Sequence, residues 1–228
     1  IYADWNGQIA YTTPNMNGFS ATIGVMQPWN VTASGTLSGQ SAGNTDEFGF
    51  QGQASYSWTG DFAGKVWAGF FSQEVTGQND GAATPAAAAS TSDTANAYEA
   101  GISATVMNIN LVAYGYSGDG VGTTGLLRDG YDTTGAARDS DGYYAQATYV
   151  IPMGTKLGVS YGESKLDLAS GEASSALVKE NEMLTIGAYH PLTKHLNLVA
   201  EYSDVESKAH DGASETSDIF TVGAILFF

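Results

Sequence analysis

Along most of this chain, apolar and polar residues alternate with a period of two, the spacing at which a strand shows successive side chains to opposite faces. In residues 3–13, Ala3, Trp5, Gly7, Ile9 and Tyr11 share one phase, while Asp4, Asn6, Gln8 and Ala10 share the other. Phe19, Ala21, Ile23 and Val25 then oppose Ser20, Thr22 and Gly24, and Phe50, Ala54, Tyr56 and Trp58 oppose Gln51, Gln53, Ser55 and Ser57. Val66, Ala68 and Phe70 oppose Lys65, Gly69 and Gln73, with Trp67 ambiguous in facing. The pattern recurs over residues 98–106, 111–117, 143–149, 157–161, 184–188, 196–202 and 220–228, which makes eleven predicted strands. Short turns at 14–18, 60–62, 108, 151–154 and 190–195 alternate with long connections at 30–47, 76–96, 118–140, 167–179 and 204–217. The first turn holds Pro14, Asn15, Asn17 and Gly18, residue types that set or tolerate turn dihedrals.

Composition narrows what such strands can build. The chain has 228 residues, 43% of them hydrophobic, with 29 Gly and 5 Pro, which is too apolar for a disordered protein. No apolar run approaches the roughly 18 residues of a membrane-spanning helix, so any span must be made of strands. Cysteine is absent, which removes disulfides and thiolate metal sites. The opening residues Ile1 to Trp5 carry no initiator Met and no leader pattern, so an upstream segment is expected to have been removed or left out. The net charge of −16 argues against nucleic-acid binding, which rewards clustered Lys and Arg. Only Asp61 among the acids falls in a predicted short turn, whereas Asp46, Glu47, Asp80, Asp93, Asp119, Asp129, Asp132, Asp139, Glu172, Asp211 and Glu215 fall in predicted long connections. One rim of the sheet is therefore expected to be anionic. The aromatics Trp5, Tyr11, Trp58, Tyr143, Tyr149 and Tyr202 sit on the apolar phase near strand ends, as an interfacial girdle does. A carbohydrate-stacking slide is the weaker reading of the same residues.

Three stretches carry a family resemblance. The hairpin 7–25, with Tyr11, Pro14, Asn17, Gly18 and Phe19, is similar to the hairpin that follows the constriction loop in Gram-negative general diffusion porins. The hairpin 189–203, with His190, Pro191, Lys194 and His195, resembles their penultimate hairpin, and the amphipathic stretch ending at Phe228 resembles their last strand. The resemblance implies an all-β fold, an antiparallel transmembrane β-barrel in the bacterial outer membrane. It also implies a homotrimer, contact with outer-membrane lipid and lipopolysaccharide, and small hydrophilic solutes and ions as cargo. Barrels of that family have about sixteen strands, so residues 1–228 are expected to form a single barrel domain from about the sixth strand onward, without the N-terminal strands and the constriction loop. Strand parity agrees, because Phe228 falls at the short-turn end and Ile1 at the long-loop end. An open sheet in lipid would leave roughly ten unpaired backbone groups per edge, each costing several kcal/mol. A smaller barrel completed by one further strand is the alternative.

The polar phase supplies the candidate pore-lining residues: Asp4, Asn6, Gln8, Gln51, Gln53, Lys65, Glu99, Gln146, Lys156 and Glu201. Their mix of amides and charges would hold water rather than pack a core, and with the acidic rim it points to a passive channel preferring cations. Such a channel calls for no cofactor, no metal and no turnover. An outer-membrane barrel enzyme is disfavoured because His190 and His195 flank a turn and His210 lies among acids, with no paired nucleophile. Asp129, Asp132, Asp139 and Asp141 match no calcium-loop spacing, so a solvated loop is the favoured reading. A secreted β-sandwich or adhesin would also alternate in this way, but it would be soluble without detergent.

Overall fold

The computed structural model describes residues 5–31, 47–76, 92–132 and 135–228. The regular elements it describes are strands: β1 (Gln8–Thr12), β2 (Phe19–Met26), β3 (Gly49–Trp58), β4 (Phe62–Thr76), β5 (Ser92–Val106), β6 (Ile109–Asp119), β7 (Asp139–Val150), β8 (Lys156–Leu166), β9 (Val178–Pro191), β10 (Leu196–Ala209) and β11 (Ser214–Leu226). They form one sheet in chain order, each strand antiparallel to the next, with β1 and β11 as its two edges. The sheet is therefore open rather than closed on itself.

Local chemistry explains the turns. Asn17 and Gly18 take the left-handed region at φ 54° and 98°. Gly18 N donates to Asn15 Oδ1 at 2.8 Å, closing the link from β1 to β2. A Cβ at Gly18 would also lie 2.1 Å from the Ser57 carbonyl oxygen, so only glycine fits. Met107 at φ 52° turns β5 into β6 within two residues.

Register then sorts the side chains into two faces. One continuous row runs Tyr56, Val66, Ile102, Ala113, Ala145 and Tyr161 across six strands. Ala21, Ile23, Phe50, Leu157, Ile186, Leu198 and Val222 share this face, which stays solvent-exposed although it is apolar. The other face carries the row Thr12, Thr22, Gln53, Gly69, Glu99 and Tyr116. A slip of one residue anywhere would exchange the two sets, so the pattern fixes the register. Trp67, ambiguous in sequence, belongs to the polar face, and Tyr11, Trp58, Tyr143, Tyr149 and Tyr202 belong to the apolar one.

Several predicted boundaries are corrected. Residues 204–217 were expected to be a long loop, yet β10 and β11 run through them and leave only 210–213 as the connection. Residues 92–96 and 139–142 are likewise strand. In these extensions the apolar side of the sheet becomes charged, with Glu163 and Lys165 on β8, Glu180 and Glu182 on β9, and Glu206 and Lys208 on β10. Lys208 Nζ donates to Glu180 Oε1 at 2.9 Å and also to Glu182, so cross-strand ion pairs replace apolar contacts where the strands outrun the apolar band. Of the loops predicted at 30–47 and 76–96, most residues lie outside the described ones.

Candidate functional site

The polar face holds nearly every predicted site residue. Gln8, Gln51 and Gln53 lie on β1 and β3, Lys65 on β4, Glu99 on β5, Gln146 on β7, Lys156 on β8 and Glu201 on β10, and the register puts all of them on this one face. Asn6 precedes β1, its side-chain amide donating to the Gln27 carbonyl. Asp4 lies outside the described residues.

The structure gathers these residues into two groups. In the first, Gln51 Nε2 donates to Gln8 Oε1 at 2.5 Å, Gln53 Nε2 donates to Glu99 Oε1 at 2.9 Å, and Tyr114 OH donates to Glu99 Oε2 at 2.9 Å. Glu99 reaches across Gly69, where a Cβ would lie 2.8 Å from its carboxylate oxygen. The Lys65 ammonium lies 5.9 Å from the centre of the Trp67 ring. The Trp67 ring itself lies flat against Gly101, where any Cβ would come within 2.1 Å of it. In the second group, Lys156 Nζ sits 5.2 Å from the centre of the Tyr189 ring, and Tyr189 OH donates to Glu201 Oε1 at 2.5 Å. Gln146, Lys156 and Tyr189 border one small cavity of about 240 Å³. The tyrosine thus sits between cation and carboxylate, in contact with both.

The segment between β6 and β7 departs most from expectation. Residues 118–140 were predicted to be a solvated outer loop; instead residues 120–132 and 135–138 pack against the polar face. Val121, Leu127 and Tyr131 join Val31, Val75 and Ala95 in a buried apolar cluster, flanked by Trp29, Phe71, Ala97 and Leu126. Opposite that cluster the segment is tied by polar contacts. Thr123 Oγ1 and Ser164 Oγ are 2.7 Å apart, Ser164 Oγ lies 2.6 Å from Tyr116 OH, and Asn181 Nδ2 donates to Thr124 Oγ1 at 3.1 Å. The segment therefore bridges from β4 and β5 to β8 and β9 across the polar face.

Arg138 locks this bridge. Its Nη1 donates to the carbonyls of Asp129 and Tyr131, both at 2.7 Å, while Nε and Nη2 grip Glu172 in the next connection at 2.8 and 2.5 Å. A bidentate guanidinium–carboxylate pair is among the stronger protein contacts. The guanidinium, aided by the Ala169 amide, holds the Glu172 carboxyl below the usual carboxylate range. Arg128 stays half exposed, 3.7 Å from Asp129. The inward packing was signalled in the sequence by Val121, Leu126, Leu127 and Tyr131, apolar residues with no place in a solvated loop.

Between the segment and the wall lies a cavity of about 680 Å³, bordered by Gln51, Gln53 and Glu99, by Tyr114 and Tyr144, and by Leu126. The Tyr114 and Tyr144 rings pack with centroids 5.4 Å apart. These inward tyrosines were missed in the sequence, where attention fell on the aromatics of the apolar phase. The histidines make structural contacts: His190 Nδ1 with Thr155 Oγ1 at 2.9 Å, His195 Nδ1 with the Phe227 carbonyl at 3.1 Å, and His210 Nε2 with the Leu166 carbonyl at 2.9 Å.

Three solved structures share this fold. The outer-membrane channel DcaP of Acinetobacter baumannii superposes with a TM-score of 0.78 at 14% identity, over 96% of this chain and 62% of that one. An anion-selective porin from Comamonas acidovorans gives 0.58 at 15% identity, over 96% and 57%. A loop L8 deletion mutant of OmpT, an outer membrane protein of Vibrio cholerae, gives 0.54 at 15% identity, over 96% and 62%. The chain thus spans about three fifths of the length of these proteins. No curated protein sequence matches it. The sequence model of the Gram-negative porins matches residues 1–210, nearly the whole chain, and with the two-faced antiparallel sheet it establishes that this chain belongs to the Gram-negative porin family of the bacterial outer membrane.

Proposed function

We propose that the chain forms most of the wall of a passive, water-filled channel through which ions and small hydrophilic solutes diffuse, with a preference for cations. The observation that carries the reading is the division of eleven strands into a continuous apolar face and a face of amides, hydroxyls and charges. The apolar face meets lipid, and the polar face, with Gln51, Gln53, Gln146, Thr148 and Ser160, lines the aqueous lumen. The open edges at β1 and β11 would cost on the order of tens of kcal/mol in lipid, so further strands, for a total of about sixteen, close the barrel. A homotrimer embedded in lipid and lipopolysaccharide completes the assembly.

The fold does not set the sign of the selectivity, since a porin of the same fold is described as anion-selective; the charges that line the lumen do. On the polar face, among the described residues, Asp93, Glu99, Glu201 and Glu215 stand against Lys65 and Lys156. With a net charge of −16, cations concentrate at the mouth. The mechanism is electrostatic attraction and free diffusion, with no chemical step.

Because the chain has no cysteine, single cysteines report each position cleanly. Gln53→Cys and Thr148→Cys should react with a charged aqueous thiol reagent and lower the conductance of the reconstituted protein. Ile102→Cys should be inert to that reagent and open to a lipid-soluble one. The reverse pattern would refute the assignment of the faces.

A further inference from the structure

Resting on the channel reading above, we propose that the cavity around Glu99 is a recognition pocket for small organic cations, an ammonium group carried on an apolar or aromatic body. Its volume, about 680 Å³, lies in the range of sites that enclose a small ligand. What the lining offers decides the class.

Glu99 is the charged centre, and a carboxylate can only accept hydrogen bonds. The amide of Gln53 and the hydroxyl of Tyr114 must therefore be its donors, which also fixes how the Gln53 amide is turned. Each carboxylate oxygen keeps a lone pair beyond those two bonds, and among the described residues no Lys, Arg or His forms an ion pair with it. The nearest cation on the neighbouring strand, Lys65, is engaged with the Trp67 ring instead. Gly69, having no side chain, leaves the room that the Glu99 carboxylate itself occupies.

Some of the lining's donors are already committed. Tyr114 and Gln53 are spent on Glu99, and the Tyr116 hydroxyl pairs with Ser164. Facing the cavity are the acceptor oxygens of Glu99, the negative ring faces of Tyr114 and Tyr144, and the apolar side chain of Leu126, with the Tyr144 hydroxyl and the second N–H of Gln51 and of Gln53 as the donors left over. A solute bearing N–H donors or a quaternary nitrogen satisfies all three at once, because aromatic faces attract cations and the carboxylate neutralises them. An anion is repelled by the Glu99 carboxylate, and a neutral saccharide gains nothing from that charge.

The test uses the intact protein in planar bilayers, with the potassium current titrated by benzyltrimethylammonium, benzyl alcohol and benzoate. The cation should reduce the current saturably at a concentration at least about tenfold below that at which either analogue acts. Glu99→Gln should weaken the apparent affinity about tenfold or more, and Tyr144→Leu several-fold. Equal action by the cation and benzoate, stronger action by benzyl alcohol than by the cation, or an affinity unchanged in Glu99→Gln would overturn the proposal. A conducting channel without cation block sinks the pocket alone, whereas a folded protein that never conducts sinks the channel reading. In that second case, calorimetric titration of the detergent-solubilised protein with the same three probes still decides the pocket.

Discussion

Truncating Leu127 probes the inward packing of residues 120–132 directly. Leu127 is fully buried, at 0% exposure, against Val31, Val75, Ala95, Val121 and Tyr131. It also holds a left-handed backbone at φ 59°, a conformation that costs a non-glycine residue about 1 kcal/mol and persists only where packing enforces it. Leu127→Ala keeps that strain and loses the packing, and core truncations of this kind cost about 2–5 kcal/mol. The Arg138–Glu172 pair and the Thr123–Ser164 contact remain, so the segment should stay docked but open more often. A loss of about 2–4 kcal/mol corresponds to roughly 30- to 1,000-fold more frequent opening. Hydrogen exchange of the amides over residues 120–132, followed by mass spectrometry in detergent or lipid discs, reads that ratio. The segment's amides should accelerate while those of β9 and β10 do not. A change below about threefold, or an equal acceleration throughout the sheet, would refute the packing argument.

Further outcomes follow from the same geometry. Ile102→Arg or Val222→Arg, on the apolar face, should destabilise the folded protein in bilayers by about 2–4 kcal/mol near the midplane, and a neutral effect in denaturant titration would contradict the lipid-facing assignment. Gly101→Val should displace the Trp67 ring that lies against it and shift the near-ultraviolet dichroism; an unchanged spectrum would rule this out. Glu172 is held below its usual 4.5 by Arg138, so the folded state favours its ionised form. The clasp therefore contributes fully at neutral pH and weakens as pH falls below the ordinary carboxylate range through the lowered value. Exchange of residues 120–132 should rise in acid, and Glu172→Gln should raise it at neutral pH and flatten its response; a wild-type profile independent of pH would count against the clasp.

Much of the fold was legible because the period of two is imposed by the strand itself. Ile23, Phe50, Ile102 and Leu198 had to share one face, and Gln51, Gln53 and Glu99 the other, and their register agrees. The strand ends were not legible for a physical reason: beyond the apolar band, Asp204, Glu206 and Lys208 face outward and look like loop, although cross-strand charge pairing keeps them in the sheet. The inner tyrosines escaped notice because alternation reports which side a ring faces, not that Tyr114 and Glu99 from adjacent strands meet. The inward segment escaped because its anchors, Leu127 on Val75 and Arg138 on Glu172, join residues 34 or more apart in sequence.

The reversal potential of the reconstituted intact protein across a potassium chloride gradient tests the central claim most directly. With a Debye length of about 8 Å at physiological ionic strength, the acidic excess should give a modest cation preference that shrinks as salt rises. A reversal potential of the cation-selective sign that declines at high salt is the predicted result; anion selectivity, or a preference independent of salt, would contradict the account.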